Sequence, residues 1–242
     1  MSSLKGRTVL VTGAGGGIGG AIVRRLTAAG ADIVAADRTA QSLVAVVADT
    51  GARPLPFDLT SEDSVRGALE GVRLDGLVNC AGFGGLVAPI VDVEVTDFDR
   101  VVAVNARGAL LVTKHVARSM IAAGHGGSVV NVSSQASLVA LQGHAAYAAS
   151  KSALDSITRV AALELGAHGI RVNSIHPTVV MTPMSASYWG RPEIGGPFLA
   201  AMPLGRWATE ADIAGPVAFL LGDGAAMISG ATLPVDGGYT CR

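Results

Sequence analysis

A serine, a tyrosine and a lysine suited to proton transfer stand close together in the sequence, at Ser134, Tyr147 and Lys151. The tyrosine and the lysine are four residues apart, so on a helix they share one face. A phenol with its ordinary pKa of about 10 is a weak proton-transfer group at neutral pH, and an ammonium group one turn away lowers that pKa. A serine hydroxyl at the end of a strand can hold a carbonyl or alcohol oxygen beside the phenol. The set predicts proton transfer at a carbonyl/alcohol pair.

The Tyr147/Lys151 spacing alone does not decide the chemistry, because such pairs also occur on ordinary exposed helices. The hypothesis depends on the residues that accompany the pair. One companion is Asn105, a polar residue within an apolar helical stretch. Such a side chain must find hydrogen-bond partners, since burial without them is unfavourable. Asn105 is therefore a candidate catalytic residue, and the alternative is an asparagine whose hydrogen bonds are satisfied in the core.

Strand and helix patterns alternate along the whole chain and position these side chains. The strand patterns cover residues 8–12, 31–36, 54–58, 76–79, 128–132, 170–175 and 232–235, and helical patterns lie between them. One helical pattern covers residues 145–165, and residues 93–123 carry two, separated near Asn105. This alternation predicts an α/β fold, a single-domain Rossmann-type doubly wound parallel sheet with helices on both faces, over residues 1–242. The segment 182–207 has no regular pattern and is longer than a typical connection, so we interpret it as an irregular substrate lid.

The first strand pattern leads into a glycine loop in which Gly13, Gly17 and Gly19 have the spacing TGxxxGxG. Glycine permits the tight turn and lets backbone N–H groups approach a pyrophosphate at the N-terminus of the next helix. A glycine-rich loop alone is weak evidence. Here the required strand precedes it and the required helix follows, so we interpret the loop as a dinucleotide-binding site.

An acidic residue, Asp37, ends the second strand pattern, about 20 residues after the loop, where the dinucleotide fingerprint places one. Its carboxylate can accept hydrogen bonds from the adenosine ribose and would repel a 2′-phosphate. Arg38 could accommodate that phosphate, but the glycine loop contains no Lys or Arg. The balance predicts NAD, with NADP as the alternative. Asp58 and Leu59, after the third strand pattern, are expected beside the adenine.

Composition excludes several classes of protein. The formal net charge is −1, and nothing indicates nucleic acid as a partner. No apolar run approaches the roughly 20 residues that span a bilayer, and residues 1–5 are too short and polar for a signal peptide. The cysteines, Cys80 and Cys241, lie far apart without metal-ligand spacing and are interpreted as reduced thiols. We therefore expect a cytoplasmic protein with neither membrane nor metal association.

Taken together, these motifs resemble the short-chain dehydrogenase/reductase family over the whole chain. The resemblance implies that Tyr147 exchanges the proton and that Ser134 orients the substrate oxygen. It also implies that Lys151 lowers the tyrosine pKa and binds the nicotinamide ribose, and that Asn105 holds a water in a proton relay. The implied cofactor contacts are Gly13, Gly17, Ile18, Gly19, Asp37, Asp58, Leu59, Asn79, Ala81, Gly82, Tyr147, Lys151, Pro177, Val180 and Thr182. A homotetramer is expected from the family.

Within that family, residues 131–135, 162–166, 177–182 and 232–235 resemble sugar-alcohol dehydrogenases and reductases of the matching ketoses. This resemblance implies that Gln135, His144 and Trp189 approach the substrate together with Ser134 and Tyr147. The alternatives are a surface-loop histidine at His144 and a lid anchor packed on the core at Trp189. A mammalian NADP-dependent reductase of this group has a basic residue in its glycine loop and no acid after strand two. Gly16 and Asp37 stand at those places here, which favours polyol oxidation with NAD.

Three functions remain in competition. The leading hypothesis is an NAD-dependent dehydrogenase that interconverts a small secondary alcohol and its ketone, a polyol/ketose pair. The first alternative is a 3-oxoacyl thioester reductase of the same family, which would favour NADP and need a basic patch for its carrier protein. The second is a non-catalytic dinucleotide-binding protein, which would have no need of the serine, tyrosine and lysine.

Overall fold

Seven parallel strands form one sheet within residues 4–241, the part of the chain that the computed structural model describes, without the side chain of Met184. The order across the sheet is β3-β2-β1-β4-β5-β6-β7, so the chain winds outward from β1 on one side and from β4 on the other. The predicted doubly wound parallel sheet is confirmed. The strands are β1 (Thr8–Thr12), β2 (Asp32–Asp37), β3 (Arg53–Pro56), β4 (Gly76–Asn79), β5 (Gly127–Val132), β6 (Ile170–Pro177) and β7 (Thr232–Val235).

Helices cover both faces of this sheet. They are α1 (Gly17–Ala28), α2 (Ala40–Thr50), α3 (Glu62–Leu69), α4 (Val95–Val102), α5 (Ala109–Ala123), α6 (Ala145–Leu165), α7 (Pro183–Trp189), α8 (Pro192–Ala200) and α9 (Glu210–Leu221). In the described chain no helix is both long and apolar enough to cross a bilayer.

The alternation of side chains along β1 divides the core into two clusters. Val9 and Val11 point to the face that carries α1 and α9, where they pack with residues such as Ile22 and Val217. Leu10 points to the opposite face, which carries α3, α5 and the C-terminal part of α6. A central parallel strand is buried on both faces, so it is apolar at every position. Helices packed on both faces stabilise the sheet and leave its carboxyl edge open for a functional site.

The third strand is shorter than predicted and ends at Pro56 instead of Asp58. It is an edge strand, where proline, which has no N–H, is tolerated. The chain turns at Asp58 because its carboxylate accepts hydrogen bonds from the backbone N–H (2.9 Å) and hydroxyl (2.7 Å) of Thr60. Side chains of this kind compete with the strand ladder and start turns. Asp58 consequently lies at the rim of the sheet's carboxyl edge.

The predicted division of residues 93–123 into two helices near Asn105 is confirmed, and the divider is a π-helical turn over Ala103–Gly108. A π turn widens the helix locally and is frequent at functional sites. Here it brings the Asn105 side chain to the loop that follows β4, where it contacts Phe83.

The prediction of an irregular segment over residues 182–207 is wrong, because two short helices, α7 and α8, occupy most of it. Thr182 and Ser185 form a capping box, and Pro183 and Pro192 stand in the first turns of the two helices. These two prolines therefore begin helices. A Cβ at Gly195 would collide with the carbonyl oxygen of Trp189, so glycine lets α7 and α8 pack closely.

Candidate active site

The switch point of the sheet, between β1 and β4, opens into a cavity of about 510 Å³. Gly13 follows β1 with φ +67°, and a Cβ there would lie 2.7 Å from Cα of Ala81. Only glycine allows this approach of the two strand exits. Ligands of open α/β sheets bind at such crevices. The lining residues include Thr12, Gly13, Asp37, Arg38, Thr39, Ser42, Asp58, Leu59, Ala81, Gly82, Phe83 and Arg100.

The N-terminus of α1 points from this glycine loop, and its chemistry fits a pyrophosphate. The N-cap, Gly16, has no side chain to bond the first N–H groups of the helix. Such groups are donors for an anion. A Cβ at Gly19 would collide with the carbonyl oxygen of Gly13, so glycine also closes the turn. Thr182 lies against the loop, since a Cβ at Gly17 would come 2.9 Å from its Cγ2. Ile18 packs partly on the core beneath.

The carboxylate of Asp37 lies at the far end of the cavity, next to Arg38. One of its oxygens accepts from the N–H of Gly15 at 3.1 Å, and the other accepts from the N–H of Arg38 at 2.7 Å. A carboxylate oxygen has two lone pairs, so both retain capacity for ribose hydroxyls. The polar groups of this site therefore fit a nicotinamide dinucleotide.

The hydroxyl of Ser134 is fixed at the end of β5. Ser134 is buried and caps a short 3-10 helix over Gln135–Ser137, where its Oγ accepts from the N–H of Ala136 at 3.1 Å. Because this bond uses a lone pair, the hydroxyl hydrogen is free to be donated. The cap thus holds the oxygen in place and leaves its proton available to a second oxygen, such as the phenol of Tyr147, with which Ser134 interacts.

Tyr147 and Lys151 share one face of α6, as predicted, and the lysine nitrogen is 5.7 Å from the centre of the phenol ring. The expected lowering of the tyrosine pKa is not present. Burial raises the pKa of Tyr147, and the hydrogen bond from Ser134 opposes this only in part. Burial also lowers the pKa of Lys151 to about 8, against favourable interaction with Cys80 and Asp155. The low polarity that disfavours the charged form of Lys151 also disfavours the phenolate form of Tyr147.

Lys151 is nonetheless held beside the tyrosine. Its Nζ donates to the carbonyl oxygen of Val132 at 2.8 Å. A Cβ at Gly82 would lie 3.6 Å from this Nζ and from Oδ1 of Asn105. The loop after β4 therefore lies close to α6 at Lys151. Cys80 lies in the same place, and burial raises the pKa of its thiol to about 12, so it is a neutral neighbour.

The side chain of Asn105 is fully hydrogen-bonded. Its Oδ1 accepts from the N–H of Phe83 at 2.7 Å, and its Nδ2 donates to the Phe83 carbonyl at 2.9 Å and to Oγ of Ser150 at 3.0 Å. Ser150 in turn donates to the carbonyl of Tyr147 at 2.7 Å. The side chain thus ties the β4 exit to α6, which corresponds to the alternative of a satisfied buried asparagine.

Three further residues predicted to contact substrate, Gln135, His144 and Trp189, follow Ser134 in the chain. Gln135 is 1% exposed, and neither its amide nitrogen nor its oxygen has a hydrogen-bond partner. His144 stacks on Trp189 with ring centres 5.6 Å apart, and Nδ1 of His144 donates to the carbonyl of Gln142 at 2.8 Å. Trp189 also packs on Phe198 with ring centres 4.6 Å apart, so it contacts both α8 and His144. Helix α7 thus reaches the loop that precedes α6 through an aromatic contact.

Most of the remaining predicted cofactor residues line the cavity or are buried near the end of β6. Asp58, Leu59, Ala81 and Gly82 line the cavity, while Pro177, the last residue of β6, and Val180 are buried. Asn79 lies at its strand end, but its amide donates to Oγ1 of Thr113 (2.9 Å) and Oδ1 of Asn131 (2.8 Å) within the core. Its side chain therefore braces β4 against β5 and α5.

Two pairs were missed by the sequence reasoning. Arg100 lies 4.2 Å above the ring of Phe83, and both line the cavity. No periodicity places that loop phenylalanine under a helix arginine. His176 and Asp155 meet behind Ser134, with Nε2 3.2 Å from Oδ1. The sequence contained a signal for this second pair. Asp155 follows Lys151 by one helical turn, and His176 lies near the end of β6, the strand next to β5, which Ser134 follows.

Comparison with known proteins gives close, full-length matches. A family model described as Enoyl-(Acyl carrier protein) reductase matches residues 13–240. L-xylulose reductase of Bos taurus is 44% identical over 238 residues, covering 98% of this chain and 97% of that protein. D-threitol dehydrogenase of Mycolicibacterium smegmatis is 41% identical over 249 residues, covering 99% and 95%.

Solved structures match equally well. A short-chain type dehydrogenase/reductase from Mycobacterium ulcerans superposes with a TM-score of 0.95 at 36% identity, covering 99% of this chain and 92% of that one. A protein from Beutenbergia cavernae, with NADP bound at low occupancy, gives a TM-score of 0.94 at 34% identity and 99% coverage of both chains.

Proposed function

Because this chain belongs to the short-chain dehydrogenase/reductase family of oxidoreductases, we propose that it transfers a hydride between NAD and a small polyhydroxylated secondary alcohol, interconverting a polyol and a ketose. The observation that carries the substrate proposal is Gln135, whose two polar side-chain atoms are buried beside Ser134 without partners. Unpaired buried polar groups are unfavourable, and substrate hydroxyls would satisfy them. Relatives named for xylulose and threitol support the same class.

In the proposed reaction, NAD supplies the hydride acceptor when it is bound. Ser134 donates its free hydroxyl hydrogen to the substrate oxygen and holds it beside the phenol. Tyr147 exchanges the proton of that oxygen, and Lys151 supports the tyrosinate by its charge and contacts the nicotinamide ribose. Asn105 keeps the β4 exit and α6 together, and a water near it can continue the proton path. Pro177, Val180 and Thr182 would complete the cofactor pocket.

The proposed choice of NAD over NADP depends on Asp37. Its carboxylate faces the place where the adenosine ribose would lie, and a 2′-phosphate there would meet a like charge. Arg38 and the hydroxyls of Thr39 and Ser42 line the same end of the cavity, so a phosphate would not lack donors. The repulsion from Asp37 and the uncharged Gly16 favour NAD.

A second candidate is a 3-oxoacyl thioester reductase, favoured by the description of the matching family model. Such a substrate needs an apolar wall for its acyl chain. The lid offers Trp189 and Phe198, but the loop beside Ser134 offers the buried amide of Gln135. A binding protein without turnover is the third candidate, and it would leave the hydroxyl arrangement of Ser134 without use.

The test is a comparison of polyols with simple secondary alcohols of equal length as substrates with NAD. Four- to six-carbon polyols should give the higher kcat/KM. Gln135→Leu should narrow that gap by about tenfold, since a site that hydrogen-bonds hydroxyls discriminates through them. Gln142→Leu is the matched control, because Gln142 is an exposed glutamine of the same loop, and it should leave the gap unchanged. Higher kcat/KM for 2-alkanols or 3-oxoacyl thioesters would contradict the polyol assignment.

We also propose that the protein is a cytoplasmic homotetramer. Cys80 and Cys241 are free thiols, as suits a reducing compartment. On the outer side of α6, Val160 is 53% and Leu163 is 83% exposed. Apolar side chains exposed on one helix face are expected where a second copy of the chain covers them, and symmetric association is the common solution.

A further inference from the structure

A buried histidine and a buried aspartate lie behind the loop of Ser134, and the proposed proton transfer does not use them. His176, at the end of β6, is 0% exposed, and Asp155, on α6, is 5% exposed. Charged or titratable groups are rarely buried to this degree unless they are paired. We therefore expect specific contacts to hold these two side chains.

The contacts of the His176 ring determine the position of one proton. Nδ1 lies 3.1 Å from the carbonyl oxygen of Ser134, and a carbonyl can only accept. This hydrogen bond therefore requires a hydrogen on Nδ1, which the ring donates. Ser137 donates to the same carbonyl at 2.7 Å, and its Oγ is 3.0 Å from Nδ1. The backbone of Ser134 is thus held by two donors behind it, while its own Oγ is held by the N–H of Ala136 in front.

The other side of the ring faces Ser174 and Asp155. Nε2 lies 2.9 Å from Oγ of Ser174, with which it shares a hydrogen bond, and 3.2 Å from Oδ1 of Asp155. Oδ1 is buried and has no hydrogen-bond partner, so Asp155 packs against the ring without a directed hydrogen bond. Although burial raises the pKa of Asp155, contacts with His176, Ser137 and Ser133 outweigh it and hold that pKa below its ordinary value.

The surroundings leave the ring a single orientation. The charged groups that face the pair come from α6, namely Asp155 itself and Lys151 one turn earlier. The 3-10 helix and β6 present the neutral hydroxyls of Ser137 and Ser174. A ring turned over by 180° would place carbon atoms against the Ser134 carbonyl and Oγ of Ser174, so the hydrogen bonds of both ring nitrogens would be lost.

We infer that His176 and Asp155 are positioning residues, which hold Ser134 for proton transfer through the hydrogen bond from Nδ1 of His176 to the Ser134 carbonyl. This inference depends on the proposed role of Ser134. Asp155 acts one step further away, since it fixes the ring that makes this bond.

The activity test compares three variants with whichever secondary alcohol the unmodified protein oxidises. His176→Leu should lower kcat about tenfold and leave the Kd for the dinucleotide unchanged, because the loss acts through Ser134. His176→Asn should stay within about threefold of wild-type kcat, since its amide N–H can take the place of Nδ1–H. Asn173→Leu is the matched control: Asn173 is equally buried on the same strand, but it bonds Ile228 and Ala231. It should leave kcat unchanged.

Equal kcat for His176→Leu and wild type, or equal losses in His176→Leu and Asn173→Leu, would overturn the inference. The resting protein gives a test that does not require turnover. A long-range ¹H–¹⁵N spectrum of the ring should show a hydrogen on Nδ1 of His176, and Asp155→Leu should broaden that signal. A His176 ring protonated on Nε2 alone would overturn the inference whatever the substrate, whereas absence of turnover with every alcohol would count against the proposed function only.

Discussion

At the scale of single residues, the site is a set of buried polar groups whose charges are disfavoured before any ligand binds. The raised pKa of Tyr147 and the lowered pKa of Lys151 have the same cause, which is burial. The sequence could predict that these residues meet, because four-residue spacing on a helix fixes it. It could not predict the direction of the tyrosine shift, since the depth of the Lys151 side chain depends on Val132 of a distant strand.

A first prediction concerns the free energy of unfolding as a function of pH. The pKa of Lys151 is about 8 in the folded state, against 10.5 ordinarily. Between these values the unfolded chain binds the proton at Lys151 and the folded chain does not, so the contribution of Lys151 to stability rises as pH rises from 8 to 10.5. The raised pKa values of Cys80 and Tyr147 act in the opposite direction in the upper part of this range. Below pH 8 the whole penalty, about 3 kcal/mol, is present.

Denaturant titrations at several pH values, with Lys151→Met as the comparison, measure this effect. In the variant the rise above pH 8 should disappear, and turnover should fall because the charge beside Tyr147 is gone. Arg159→Met, at an exposed position of the same helix, should keep the rise. Identical pH profiles for wild type and Lys151→Met would show that the lysine carries no such penalty.

At the scale of elements, the sequence predicted best the helices with a regular helical spacing of apolar residues and the strands with a short, continuous apolar run. Helix α6 begins and ends where its pattern predicts, at Ala145 and Leu165, and β1, β4 and β7 agree residue for residue. The helices of residues 182–207 were missed because α7 and α8 are short, contain glycine or proline, and are stabilised by ring contacts such as that between Trp189 and Phe198. Local pattern carries no information on such contacts.

A second prediction belongs to the loop between β1 and α1 and the end of β2. Asp37→Ser with Gly16→Lys should shift the ratio of kcat/KM for NADP to that for NAD upward by about a hundredfold, by removing a repulsion and adding a partner for the phosphate. Gly16 has φ −83°, so a lysine there needs no unusual backbone conformation. The single substitution Asp37→Ser separates the two contributions.

If the unmodified protein already prefers NADP, then Arg38, Thr39 and Ser42 outweigh Asp37 and the proposed cofactor is wrong. The measurement is a pair of kcat/KM values at one fixed substrate concentration range, one for each cofactor.

At the scale of the whole molecule, the sheet order places every candidate group at one edge. Ser134 comes from β5, the glycine loop from β1, Asp37 from β2 and Gly82 from the exit of β4, and all are carboxyl ends of parallel strands. This much follows from alternating strands and helices in the sequence. The π turn at Asn105 does not follow, because it depends on packing between elements far apart in the chain. For the Asp155–His176 pair the sequence indicates where each residue lies, but the distance between the two side chains depends on how α6 packs on β6.

A third prediction is the association state. Sedimentation at micromolar concentration should show a tetramer. Val160→Glu with Leu163→Glu on the outer side of α6 should give smaller species, because charges would replace apolar contacts between copies. Val44→Glu is the matched control, since Val44 is 56% exposed on α2, away from that face, and it should leave the tetramer intact. A wild-type monomer would rule the assembly out.

The central claim, hydride transfer from a polyol to NAD with Tyr147 exchanging the proton, is tested most directly by an isotope. The protein is incubated with NAD and a four- to six-carbon polyol deuterated at its carbinol carbons, and the reduced cofactor is examined by mass spectrometry. We predict NADH that is one mass unit heavier, formed by the wild-type protein and not by Tyr147→Phe, although the variant still binds NADH. Unlabelled NADH, no reduced cofactor despite bound NAD, or substantial label transfer by Tyr147→Phe would contradict this account.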